Sequence, residues 1–217
     1  MRRSTEPELL DLPANDAAML RGNLRDMAHY DRRLGTFSLA LRLATQHLRD
    51  ATLALDVGMG NGAFMQFAAP RSALRWAGVD ASPAVIAIAQ ETCAAPMIAA
   101  QGQRLPFADK RFDVVVCANT LHHLNDEDAV LLLHECARVT RQRVVIVDLA
   151  RSRLTLLGAW LLTRLTSRNA MTLADGVQSA RRAWTPAEAR AVVARAGMAQ
   201  ARVHRHGPFH FSITIAL

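Results

Sequence analysis

The hydrophobic period of the chain changes near residue 50. Before that point, apolar Met19, Leu24 and Met27 stand opposite Arg21, Arg25 and Asp26, which predicts a helix capped by Asn15 and running to about Leu34. Gly35 interrupts it, and Phe37 to Leu48 predict a second helix. This helical preface, residues 1–50, either covers a sheet edge or forms a lid that supplies substrate contacts, with Tyr30, Arg33 and Thr36 near its break.

From residue 51 to the end at 217 the pattern reads as one domain of repeated β and α units. Strands are expected at Thr52 to Val57, Leu74 to Val79, Met97 to Ala100, Phe112 to Cys117 and Arg143 to Asp148. Helices are expected at Ala63 to Ala69, Ala84 to Ala94 and Asp126 to Val139. Ser82 suits an N-cap and Pro83 a first turn, while Asp126, Glu127 and Asp128 suit the positive end of a helix dipole. Nearly continuous apolar strands between helices mean a parallel sheet covered on both faces, an α/β doubly wound, Rossmann-like fold.

The first strand ends in Asp56 and opens into Gly58, Gly60 and Gly62. Glycine permits both the sharp turn and the close approach of a ligand to the backbone, although a tight turn without a ligand reads the same way. Asp80, at the end of the second strand, stands where such folds place a carboxylate for the hydroxyls of a ribose. A dinucleotide fingerprint would put its third glycine at residue 63, where this chain has Ala63. An acid at the strand tip repels phosphate and attracts an ammonium group, so the layout favours a nucleoside with a cationic amino-acid end over NAD.

Composition adds limits. The net charge is +7, and every basic residue except Lys110 is arginine. Thirteen arginines between Arg138 and Arg205 face only Asp148, Asp175 and Glu188, so any anionic partner should meet the C-terminal third. Cys93, Cys117 and Cys136 lack metal-type spacing and read as core residues of a reduced, cytoplasmic protein; no metal is expected. No apolar signal core and no stretch of about 20 apolar residues is present.

Four segments in order, Asp56-Val-Gly-Met-Gly-Asn-Gly62, Gly78-Val-Asp-Ala-Ser82, Leu105-Pro-Phe107 with Arg111-Phe-Asp-Val-Val-Val116, and Asn119-Thr-Leu-His-His-Leu124, resemble the motifs of class I S-adenosylmethionine-dependent methyltransferases. The resemblance implies a seven-stranded sheet, mostly parallel with the last strand antiparallel, closed by Val203 and Phe209 to Leu217. It implies S-adenosyl-L-methionine as cofactor and S-adenosyl-L-homocysteine as product. Asp56, Gly58, Gly60 and Asn119 would hold the methionine end, Asp80 the ribose, and Ala81, Gln101 and Gly102 the adenine. Gln101 departs from the aspartate usual there, though its amide oxygen still accepts from an amine.

His122 or His123 could take a proton from a phenolic acceptor, or the pair could belong to a structural loop. No Asn-Pro-Pro-Tyr signature of the nucleic-acid and protein branches follows the fourth strand, which points to a small molecule and away from nucleic acid. A helical insertion is expected at about 152–180. Its apolar stretch Leu154 to Leu165, with Trp160 and flanking Arg151, Arg153, Arg164 and Arg168, reads as a buried helix on the fifth strand, a wall of a greasy pocket, or a face for anionic lipid. Asp175-Gly176 reads as a loop, and Thr185-Pro-Ala-Glu188 as a capping box.

Glu6-Pro-Glu-Leu-Leu-Asp11, Asp148-Leu-Ala-Arg151 and Arg181-Arg-Ala-Trp-Thr-Pro-Ala-Glu188 further resemble a bacterial methyltransferase group found beside type III polyketide synthases. That finer resemblance implies O-methylation of an apolar phenolic or quinone-type acceptor. Ala150 stands where that group commonly has histidine. Tyr30, Arg33, Arg151 and Trp160 are the candidate acceptor-pocket residues. The rival readings are an RNA methyltransferase using the basic third and a non-catalytic cofactor-binding module.

Overall fold

A computed structural model describes residues 1–12 and 16–217. Two helices come first, α1 (Ala17–Arg33) and α2 (Thr36–Thr45). Alternating elements follow: β1 (Leu53–Val57), α3 (Ala63–Ala68), β2 (Arg75–Asp80), α4 (Pro83–Gln90), β3 (Met97–Ala99), β4 (Phe112–Ala118), α5 (Asp126–Val139) and β5 (Thr140–Leu149). The chain ends with α6 (Arg153–Thr166), α7 (Ala170–Arg182), α8 (Pro186–Arg195), β6 (Arg202–His206) and β7 (His210–Ala216). The seven strands form one sheet in the order β3-β2-β1-β4-β5-β7-β6, parallel from β1 to β5, with β7 antiparallel to both of its neighbours.

The central strands β1, β4, β5 and β7 are buried on both faces, and successive side chains divide between two cores. Leu55, Val115, Cys117, Val144 and Ile146 meet α5 and α8, while Ala54, Val114, Val116, Val145 and Val147 meet α2, α3 and α4. This two-residue alternation explains why the strands read as unbroken apolar runs. No helix among the described residues is long and apolar enough to cross a membrane.

The helical preface divides in two. The buried Phe37, Ala40, Leu41 and Ala44 of α2 join the core against the sheet, so this helix covers. By contrast, α1 packs on α7 and α4 above the carboxyl edge of the strands, with Leu20 and Leu24 meeting Val85 and Met171. The expected cap Asn15 lies outside the described residues; Asp16 caps α1, its side chain accepting from the Met19 N–H.

Two expectations about the C-terminal third change. Asp175 and Gly176 lie inside α7 instead of in a loop. A Cβ on Gly176 would stand 2.5 Å from Thr163 Cγ2 on α6, so glycine is there for a close helix crossing. Nor does α6 pack as a buried helix on β5: it packs on α7, only Thr155 and Thr163 are buried, and Leu154, Leu157, Trp160, Leu161 and Leu165 are exposed. The capping box at Thr185 and Glu188 is present.

Gly176→Val should therefore destabilise the protein by roughly 1–3 kcal/mol through overpacking. An exposed helical glycine would instead gain stability on replacement, so urea unfolding of the variant decides the sign.

Candidate active site

The carboxyl edge of the strands, α1, and the start of α6 and middle of α7 enclose a cavity of about 1120 Å³. Its floor is the turn after β1. The Gly58 and Met59 N–H groups both donate to Val79 O, at 2.8 and 3.0 Å, which locks the turn to β2. Gly58, Gly60 and Gly62 all have positive φ, and a Cβ on Gly58 would collide with the Thr120 side chain. Glycine is thus required by backbone angle and by neighbour together.

Asp56 and Asp80 flank this turn. Asp80 accepts from Gly60 N–H at 3.0 Å and from Ser82 N–H at 2.9 Å, which aligns its carboxylate without using all its lone pairs. Asp56 is 1% exposed, and its Oδ2 has no hydrogen-bond partner. Burial, then the nearby Asp80 charge, push Asp56 up to about 8. Burial also raises Asp80 and pushes Asp31 up to about 7. Asn119 sits in the left-handed region at φ 49°, donates its Nδ2 to Asp31 Oδ1, and leaves Oδ1 without a partner.

Across the cavity, the loop after β4 presents His122 and His123. His122 is 4% exposed; its backbone N–H donates to Asp148 Oδ2 at 3.1 Å, and its Nδ1 lies 2.7 Å from Asp148 Oδ1. His123 Nδ1 lies 2.9 Å from Asp11 Oδ1. Above them is the N-terminal turn Leu9–Asp11, fastened where Asp175 on α7 accepts from Leu9 and Leu10 N–H. That anchor places Glu8, 3% exposed, with Oε1 3.5 Å from His122 Nε2. Arg182 clamps the same loop by donating to the His122 and His123 carbonyls and to Asp11.

Asp56, Gly58, Gly60, Asp80, Ala81, Gly102, Asn119, His122, His123 and Tyr30 all line this cavity. Gln101 does not: it is exposed, and Gln103 lines the wall instead. Arg33 is exposed away from the lining. Arg151 is buried but structural, donating to Met1 O, Ala183 O and Glu188. Trp160 is 46% exposed and faces away from the cavity, to which α6 contributes Thr155, Gly158, Ala159 and Leu162. Glu8, Asp11, Asp31 and Asp175 are the site acids that sequence reasoning missed as such; Glu8 and Asp11 stood in the segment 6–11 of the finer resemblance, and Asp175 in an acid–glycine pair read as a turn.

With this geometry in view, residues 54–155 match the family model described as "Methyltransferase domain". Over that segment, just under half of the chain, the protein is similar to methyltransferase domains. No curated protein matches the chain. Solved structures share its fold at low identity. One is a SAM-dependent methyltransferase from Aquifex aeolicus, 16% identical, with TM-score 0.60 over 94% of this chain and 99% of that one. Another is the plantazolicin methyltransferase BpumL in complex with a triazolic desmethylPZN analog and SAH, 12% identical, TM-score 0.68, over 92% and 96%. A third is a putative S-adenosyl-L-methionine-dependent methyltransferase from Methanococcus maripaludis, 14% identical, TM-score 0.67, over 94% and 96%.

The residues of the cavity fit S-adenosylmethionine as a cofactor. The orphaned, buried Asp56 Oδ2 matches an ammonium group, and the glycine turn gives a large nucleoside room against bare backbone. A carboxyl pushed to about 8 is protonated at pH 6, and pairing with an ammonium must expel that proton. Affinity for S-adenosylhomocysteine should therefore rise between pH 5.5 and 7, and calorimetry in buffers of different ionisation enthalpy should record proton release. Asp56→Asn should bind more weakly, by at least tenfold, with the pH slope reduced; an unchanged slope removes Asp56 from the contact.

Proposed function

We propose that the protein transfers a methyl group to a hydroxyl of a small, largely apolar aromatic acceptor of the phenol or quinol type. The observation that carries this reading is the apolar wall of the cavity that the histidine pair also lines: Tyr30 from α1, Leu34 after it, Phe37 from α2, Leu162 from α6, and Phe209 before β7. At about 1120 Å³ the cavity exceeds the roughly 300–1,000 Å³ usual for one ligand, which suits cofactor and acceptor together. Its lining has six carboxylate residues and, among the described residues, no arginine or lysine. A polyanion would find no counter-charge there, which argues against RNA as the acceptor.

Bound cofactor supplies a methyl group on a sulfonium, open to in-line attack. The chain's own task is then to align the acceptor oxygen and draw off its proton. His122, held from two sides by Asp148, and His123, held by Asp11, are the groups placed to do so. The partly apolar α1 above the edge serves as the lid, shielding the transfer from water.

Labelled cofactor incubated with alkylresorcinols, quinols and RNA should label a small phenolic acceptor; label in RNA alone would sink the reading. His122→Gln should lower kcat by roughly 10²–10⁴ with S-adenosylhomocysteine affinity retained. Turnover equal to wild type would exclude His122 from activating the acceptor.

The exposed stripe Leu154, Leu157, Leu161 and Leu165, with Trp160 beside it, lies on the helix whose other face lines the cavity. Exposed Arg153, Arg164 and Arg168 flank it, so its charge and apolarity match an anionic lipid surface, from which a greasy acceptor would enter. Sedimentation with phosphatidylglycerol vesicles should capture the protein at low salt, and Leu157→Glu with Leu161→Glu should release it. Equal capture of the double variant would refute the contact.

A further inference from the structure

We propose that Glu8, His122 and His123 form a binding site for one divalent transition-metal ion of the zinc type, with positions open towards the acceptor. One ligand atom from each residue lies within 4.8 Å of the others, a triangle that closes around one ion with small side-chain movement. The separation of 3.5 Å between Glu8 Oε1 and His122 Nε2 is long for a hydrogen bond. It suits two ligands on one ion, since bonds of about 2.0–2.2 Å at a tetrahedral angle hold ligand atoms roughly 3.3–3.5 Å apart.

Two independent observations point to a ligand. Glu8 Oε1 is buried with no hydrogen-bond partner, in a residue 3% exposed, so the fold holds an acceptor atom away from water with nothing donating to it. Both histidines also have the outer shell that metal-binding imidazoles have. His122 Nδ1 meets Asp148 Oδ1 at 2.7 Å and His123 Nδ1 meets Asp11 Oδ1 at 2.9 Å, which turns each ring's Nε2 away from its carboxylate and raises its basicity. The rings lie with centroids 4.3 Å apart and planes at 33°, so the two free nitrogens are close neighbours. Two imidazoles and one carboxylate are a ligand set of open catalytic metal sites, and all three residues line the cavity.

The site deepens the reading of phenolic methylation, on which its role in catalysis rests: with an ion bound, His122 and His123 are its ligands instead of the base, and the ion's open positions would take the acceptor oxygen and ease loss of its proton to water. Metal binding itself does not depend on that reading. Chelator-treated full-length protein should be titrated with Co²⁺, followed by its visible ligand-field absorption, and then with competing Zn²⁺. S-adenosylhomocysteine affinity and thermal melting on each preparation report the intact fold. One equivalent should bind, Glu8→Gln and His123→Ala should each weaken it at least tenfold, and Asp11→Asn by about 10–100-fold. Wild type that binds S-adenosylhomocysteine but gives no saturable Co²⁺ or Zn²⁺ binding overturns the site, as does unchanged affinity in both ligand variants. Metal binding intact in a protein that methylates no phenol or quinol would uphold the site and discard the acceptor.

Discussion

Carboxyl groups gathered in one cavity with few basic partners are the constraint on which this structure turns. Glu8, Asp11, Asp31, Asp56, Asp80 and Asp175 all reach one cavity that contains neither lysine nor arginine among the described residues. Ionised carboxylates taken out of water cost several kcal/mol each unless they are paired or hydrogen-bonded. The chain spends backbone N–H groups on some of them: Gly60 and Ser82 on Asp80, Leu9 and Leu10 on Asp175. Asp56 Oδ2 and Glu8 Oε1 receive none, and these are the atoms that a cationic ligand would satisfy.

The same constraint explains the N-terminal turn and α7. Asp175 joins them, accepting from two N–H groups of the turn and from Asn23 Nδ2 on α1. Gly176, the next residue, lets α6 approach so that its Gly158, Ala159 and Leu162 become wall. One acid–glycine pair in mid-helix thereby positions α1, the turn carrying Glu8 and the apolar wall together. Arg182, two turns further along the same helix, fixes the histidine loop by donating to its carbonyls.

The sequence was legible wherever function and fold are written locally. The strands of 51–149 announce themselves by runs that must be apolar on both faces, and the expected cofactor end by Asp56, the glycines and Asp80, which lie at the ends of adjacent parallel strands. The acceptor side was not written locally. Glu8 meets His122 only through folding of the N-terminal turn over a distant loop, and neither segment carries a spacing motif for the other. Arg151 looked like a pocket residue from its flanks, but its guanidinium is consumed by the Ala183 carbonyl and Glu188. Gln101 and Gln103 differ by the direction of a turn, which composition does not encode. Asp175-Gly176 misled because acid–glycine pairs are local turn chemistry, whereas here a helix crossing outranks it.

His122 shows why the acceptor end needs more than a histidine in a cavity. Asp148, wholly buried on β5, holds both its backbone N–H and its Nδ1, so ring orientation is set by the sheet and not by the loop. A ring so fixed cannot swing towards different acceptors, and whatever reacts must come to Nε2. Glu8 already stands there, at a distance too long to be the ring's hydrogen-bond partner. The space between them is therefore the point at which an ion or an acceptor group gains most, because it satisfies two buried atoms at once.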